Sequence, residues 1–164
     1  MNLFFKITSL LLLLMSVSIP AQLQKHSFEQ LEELQETEKR KMVIFIHTDW
    51  CKYCQWMKNT TFKNAQIISI LNEKFWFVDL NAEHKNDIVF KGHTFKFNPT
   101  GRNTGLHELA EELAKINGKL AFPTICILNE NFEIIFQTGE FLDSTQFFKL
   151  LKEVLALSIQ NANK

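Results

Sequence analysis

Met42-Val43-Ile44-Phe45-Ile46-His47-Thr48-Asp49-Trp50-Cys51-Lys52-Tyr53-Cys54 is the stretch on which the reading of this chain turns. Its first five residues form an unbroken apolar, β-rich run, the pattern of a strand buried on both faces. Thr48-Asp49 then turns the chain into Trp50 and a cysteine pair. Two cysteines separated by two residues can close into a disulfide and reopen with little backbone movement. Where a helix begins at such a pair, its free N–H groups and its dipole stabilise a thiolate at the first cysteine. The chemistry this points to is thiol–disulfide exchange.

Helix should follow the cysteines, with Cys54, Met57, Thr61 and Phe62 on one face. Asn64 is placed to cap a second helical piece whose Ile67, Ile68 and Leu71 face inward. Phe75-Trp76-Phe77-Val78 reads as a second buried strand. On the N-terminal side, Phe28, Leu31 and Leu34 recur at helical spacing, with Ser27 as N-cap. Helix, strand, helix, strand in that order predicts an α/β sheet with parallel pairs.

Residues 82–121 are less regular. Asp87 to Phe97 reads as a hairpin turning at Lys91-Gly92, and Asn98-Pro99-Thr100-Gly101 as a loop. Leu106, Leu109, Ala110, Leu113 and Ile116 form a helical stripe stopped by Asn117-Gly118. Phe122-Pro123-Thr124 leads into a strand from Ile125 to Leu128, with an antiparallel partner from Glu133 to Phe136. Gly139 breaks that partner, and Phe147, Leu150, Leu151, Val154 and Leu155 mark a final amphipathic helix.

Composition narrows the function classes. A length of 164 residues suits one domain, and 46% hydrophobic with 22% charged residues is globular rather than disordered. The formal net charge is zero, so nothing favours nucleic acid or another strongly charged partner. The first 21 residues carry Lys6, an apolar run from Leu10 to Val17, and a small-residue exit through Ser16, Ser18, Pro20 and Ala21. That is the layout of a signal peptide cleaved near Ala21, leaving a mature domain from 22 to 164 in the periplasm or outside the cell. The apolar run is too short to span a bilayer comfortably, so no membrane span is expected after cleavage; a retained membrane anchor is the alternative reading.

In an oxidising compartment, cysteines are paired or work in redox chemistry. Cys126, the third cysteine, lies in Ile125-Cys126-Ile127-Leu128, where a buried thiol behaves as a small hydrophobe; a redox role is its alternative. A metal site is a rival use of the Cys51/Cys54 pair, but zinc usually takes four ligands and no second cysteine pair exists. His26, His47, His84, His93 and His107 lack paired spacing, and Gln55 stands where a c-type haem motif needs histidine. No cofactor and no metal is expected. A redox-inactive module that holds a partner is the remaining alternative, and the intact cysteine pair argues against it.

From about Ser27 to Leu157 the chain resembles the thioredoxin superfamily. Three pieces carry the likeness: the strand running into Trp50-Cys51-Lys52-Tyr53-Cys54, the Phe122-Pro123-Thr124 loop, and the closing hairpin and helix from Ile125 to Leu157. Cys54-Gln55-Trp56-Met57-Lys58-Asn59-Thr60-Thr61-Phe62 is similar to the secreted branch, which includes the C-terminal domain of the periplasmic transmembrane disulfide reductase. The resemblance implies a thioredoxin fold: a central mixed sheet flanked by helices, here with a hairpin-plus-loop insert at about 82–121 before the cis-proline strand. It implies an enzyme acting on protein thiols and disulfides and reset by another redox protein. The direction stays open, with a lean toward reduction.

The same resemblance assigns roles. Cys51 is the exposed attacking thiolate and Cys54 the buried resolving thiol. Pro123 is cis and, with Phe122, offers backbone to a substrate. Trp50 shields the site, and Tyr53 matches the dipeptide position of some periplasmic isomerases. Lys52 adds a positive charge beside Cys51 that favours its thiolate. Two departures stand out. Six residues before Cys51, where the family holds a buried acid, this chain has Phe45. Asp79 stands near the family's lysine partner of that acid, so Asp79 and His47 are candidate acid/base residues, the alternatives being a solvent-facing carboxylate and a satisfied polar histidine. The insert is the second departure; it is expected near the proline loop, either shaping a groove or completing the core.

Overall fold

The computed structural model describes residues 22–102 and 104–162; the expected leader, 1–21, lies outside the described residues. At its centre is a mixed four-stranded sheet in the order β10-β9-β1-β2. Strand β1 (Lys41–His47) is parallel to β2 (Phe75–Asn81) and antiparallel to β9 (Thr124–Leu128), which pairs antiparallel with β10 (Ile134–Thr138). Every residue of β1 is buried, as its apolar run requires. Its alternating side chains feed two cores. Met42, Ile44 and Ile46 pack with Phe28 and Leu31 of α1 (Phe28–Thr37) on one face. Val43 and Phe45 pack with Cys54, Met57 and Phe147 on the other.

Local signals set the helix ends. Ser27 caps α1 in a reciprocal box: its Oγ accepts from Gln30 N–H at 3.2 Å, and its own N–H donates to Gln30 Oε1 at 2.9 Å. Helix α2 (Lys52–Asn59) starts at the cysteine pair and ends in a 3-10 turn at Thr61–Lys63. Asn64 caps α3 (Ala65–Lys74), accepting from the N–H groups of Gln66 and Ile67. Helix α5 (Ser144–Ala162) closes the chain over the Cys54 core.

The region 82–121 differs in detail from the sequence expectation. The hairpin is present, β3 (Ile88–Phe90) against β4 (His93–Phe95), with Lys91 and Gly92 at φ 53° and 71° in its turn. Asn98-Pro99, expected in a loop, lies in β5 (Phe97–Pro99), paired with β6 (Gly105–His107). The expected stripe from Leu106 to Ile116 shortens to α4 (Glu108–Ala114), because pairing with β5 claims Leu106 and because His107 Nδ1 caps the helix by accepting from Leu109 N–H at 3.3 Å. Asn117-Gly118, read as a helix stop, turns a small hairpin between β7 (Lys115–Ile116) and β8 (Lys119–Leu120) with φ 50° and 78°. Strand β10 begins at Ile134 rather than Glu133, since Glu133 is held in the preceding turn by Asn129.

The insert completes the core on the α1 side. Ile88, Phe90, Phe95, Leu109 and Leu113 join the cluster built on Met42 and Ile44, away from the cluster that holds Cys51 and Cys54. Val89 N–H and Lys91 N–H donate to Glu29 and Glu32 of α1, tying the hairpin down.

Gly105 has no room for a side chain: an added Cβ would fall 2.5 Å from Asn98 O and 2.8 Å from Pro99 Cα. Gly105→Ala should therefore lower the unfolding free energy by about 1–3 kcal/mol, read by urea denaturation. An unchanged midpoint would mean that the β5–β6 ribbon yields freely.

Candidate active site

The junction of β1 and α2 is held in place before any chemistry begins. Ala82 N–H donates to His47 O at 2.7 Å, and Asn81 Nδ2 donates to Asp49 Oδ2 at 3.1 Å, so the end of β2 anchors the turn. Register then sets what lies beside it. Ile46 pairs with Thr124 across the β1–β9 ladder, which places Pro123 just past the last pair, at the edge where β1 hands over to the cysteine turn. The Phe122–Pro123 peptide bond is cis, and Pro123 is buried.

Cys51 and Cys54 form a disulfide, with Cα atoms 5.2 Å apart. Cys51 is the N-cap of α2, and its Sγ accepts from Cys54 N–H at 3.1 Å. The same N–H lies ready to stabilise a Cys51 thiolate once the bond opens. Cys51 was expected to be exposed; in the disulfide it is 6% exposed, against 0% for Cys54. Its sulfur is drawn back toward Cys54 and the helix terminus, yet it remains the outer of the two. Trp50, Lys52 and Tyr53 are exposed around it. Cys126 is fully buried opposite Ile44, and burial pushes its thiol up to about 12, so it is no nucleophile near neutral pH.

Asp79 does not end its strand facing water. It lies within β2, directly across from Phe45, in the position that faces the family's missing acid. Its Oδ2 is 2.5 Å from Lys25 Nζ, and its Oδ1 is 2.8 Å from His47 Nε2 and 3.5 Å from Lys58 Nζ. Lys58 Nζ in turn lies 2.8 Å from His47 Nε2. Burial pushes the Asp79 carboxyl up, but hydrogen bonds from His47 and Lys25 and the charge of Lys58 outweigh it and hold the group far below the usual carboxylate range. His47 is buried and stacks on Phe45 at 5.4 Å, and its Nδ1 has no hydrogen-bond partner among the described residues. The cluster thus joins β1, β2, the N-terminal segment and α2.

Sequence reading brought Asp79 and His47 forward but missed Lys58 and Lys25. Lys58 could have been found, since it follows Cys54 by four residues and shares its helix face; Lys25 carries no such signal. Two aromatic residues were missed too. Trp56 contacts Phe141 at 5.0 Å, and Tyr53 contacts the same ring at 5.9 Å. Trp50 meets Phe122 edge-on at 6.3 Å. Among the described residues, no three His, Cys, Asp or Glu side chains are gathered to hold a metal ion.

A family model described as Thioredoxin-like domain matches residues 27–155. The chain belongs to this thioredoxin-like family, and its central mixed sheet flanked by helices is the thioredoxin fold. A solved structure of DsbH oxidoreductase is similar over 87% of this chain and 93% of its own, at 18% identity and a TM-score of 0.60. A putative disulphide-isomerase from Bacteroides thetaiotaomicron aligns over 84% and 93%, at 20% identity and a TM-score of 0.54. A thioredoxin-fold protein from Helicobacter pylori aligns over 71% and 69%, at 21% identity and a TM-score of 0.53. No curated protein matches the sequence.

The Asp79 cluster has a pH signature. In the fold Asp79 stays ionised at pH values where the unfolded chain, with a carboxyl pKa of about 3.9, already takes up a proton. Its contribution to stability is therefore complete above the unfolded value and is lost as pH falls from about 4 into strong acid. Asp79→Asn should remove about 2–3 kcal/mol at pH 7 and flatten the acid limb of the stability–pH curve. Urea denaturation between about pH 3 and 7 checks this, and an acid limb of unchanged steepness refutes it.

Proposed function

We propose that this protein is a thiol–disulfide oxidoreductase working on protein substrates in an extracytoplasmic compartment. The observation that carries the reading is Cys51 as the N-cap of α2, disulfide-bonded to the more deeply buried Cys54 and next to the proline turn. Family membership and structural neighbours named as an oxidoreductase and a putative disulphide-isomerase support it.

In the reducing direction, the Cys51 thiolate attacks one sulfur of a substrate disulfide. One substrate thiolate leaves, and the other sulfur stays bonded to Cys51. Cys54 then loses its proton and attacks Cys51 Sγ, forming the Cys51–Cys54 bond and releasing the second substrate thiolate. Two electrons pass to the substrate, and each released thiolate takes up a proton. Run backward, the same steps oxidise a dithiol. A second redox protein restores the starting state. The candidate acceptor for the Cys54 proton is His47, the last residue of β1 before the cysteine turn, whose buried Nδ1 has no hydrogen-bond partner among the described residues while its Nε2 lies 2.8 Å from Asp79 Oδ1. Asp79 is the counter-charge for the imidazolium that forms. Trp50, Lys52, Tyr53, Phe122 and Pro123 border the site where substrate approaches.

Export rests on the sequence before Gln22. Gln22, the first residue after the expected cleavage point, is held to α3: its O accepts from Asn72 Nδ2 at 2.8 Å. No helix among the described residues is long and apolar enough to cross a membrane.

A redox titration of residues 22–164 with thiol labelling tests the reading. A reversible two-cysteine couple near about −270 mV is expected for a reductase; a midpoint near about −120 mV would reverse the direction. Cys51→Ser should abolish disulfide exchange, and Cys54→Ser should accumulate a mixed disulfide at Cys51. If the two cysteines form no reversible couple, the enzymatic reading fails.

A further inference from the structure

The chain has sixteen Phe but only three Trp and one Tyr. Phe45, Phe75, Phe77 and Phe147 are among its largest fully buried side chains. The rings with polar edges are spent differently. Trp50, Tyr53 and Trp56 are 68%, 58% and 56% exposed, and all lie within the turn and first two turns of helix that carry Cys51. The third, Trp76, is 7% exposed and packs under the Arg40 guanidinium at 4.1 Å. A single exposed ring is ordinary, but a cluster of them marks a surface that meets a partner.

The exposed rings are not loose. Trp50 is set edge-on against Phe122 of the proline loop. Tyr53 and Trp56, one helical turn apart, both contact Phe141 from the segment between β10 and α5. Two ordered ring groups therefore border Cys51, each braced from a different part of the fold. Trp and Tyr present large, stiff contact area at low cost in side-chain entropy, and their polar edges tolerate water when nothing is bound.

The occupant follows from what the rings surround. Any disulfide that reaches Cys51 brings its own flanking residues onto them. Trp56 lies five residues past Cys51, about 7.5 Å along a helix axis, which two to three residues of an extended chain span at about 3.3 Å each. We propose that this aromatic collar selects polypeptide substrates whose reacting cysteine has aromatic or large aliphatic neighbours within two or three residues, in an extended or unfolded segment. The proposal rests on the reading that Cys51 attacks substrate disulfides and names the substrate class.

The test uses the reduced protein, residues 22–164, and three disulfides: one peptide whose cysteine is flanked by Trp and Phe, one of equal length flanked by Asp and Ser, and hydroxyethyl disulfide. The wild type should favour the aromatic peptide over the acidic one by about tenfold in kcat/KM, mostly through KM. Trp56→Ser, at a surface position, should bring the two peptides to within about twofold of each other and lower the ratio of aromatic-peptide to hydroxyethyl disulfide turnover. Equal kcat/KM for both peptides, with hydroxyethyl disulfide still reduced, overturns the collar and leaves the oxidoreductase reading intact. No turnover of any of the three overturns that reading, and the collar with it.

Discussion

Strand β1 is the constraint on which the rest depends. Buried along its whole length, it must be covered on both faces and paired on both edges. Its backbone groups can be satisfied only by β2 on one side and β9 on the other. That double pairing fixes where the strand ends, and its end fixes where Cys51 stands. The pairing of Ile46 with Thr124 brings the proline turn to the same edge, although the two segments lie far apart in the chain. The cysteine pair thus meets its helix N-terminus and its proline neighbour as consequences of one buried strand.

A second consequence appears one step deeper. With Phe45 in place of the family's acid, the face beneath Cys54 gains an aromatic ring and loses a titratable group. The carboxylate instead comes from Asp79 across the ladder, buried but surrounded by His47, Lys58 and Lys25. Desolvation alone would favour a neutral carboxyl, yet three cationic or donating neighbours keep it ionised. Such a carboxylate is a poor proton acceptor and a good counter-charge. For that reason the proton acceptor proposed above is His47 rather than Asp79.

The insert, residues 82–121, packs on the face of the sheet away from the Cys51–Cys54 pair. Its hairpins and short helix bury Ile88, Phe90, Phe95 and Leu109 against α1 and the far face of β1. Cys51, Cys54, Phe147 and Met57 occupy the other cluster. The aromatic residues beside Cys51 instead meet two short segments outside it, at Phe122 and at Phe141.

What could be read from the chain alone were the features carried by neighbours in sequence: the buried run before the cysteines, the caps at Ser27 and Asn64, the turn at Lys91-Gly92, and the pairing of Cys51 with Cys54. Each depends on a side chain acting within a few residues of itself. The shortened helix after His107 was not legible, because cross-strand pairing of Leu106 overrode its helical spacing. Nor were the surroundings of Asp79 or the tilted contact of Trp56 with Phe141, which bring together residues from five separate segments. Local rules reach about one helical turn or one strand pair; charge clusters and ring contacts form only when the sheet has closed and distant elements share a face.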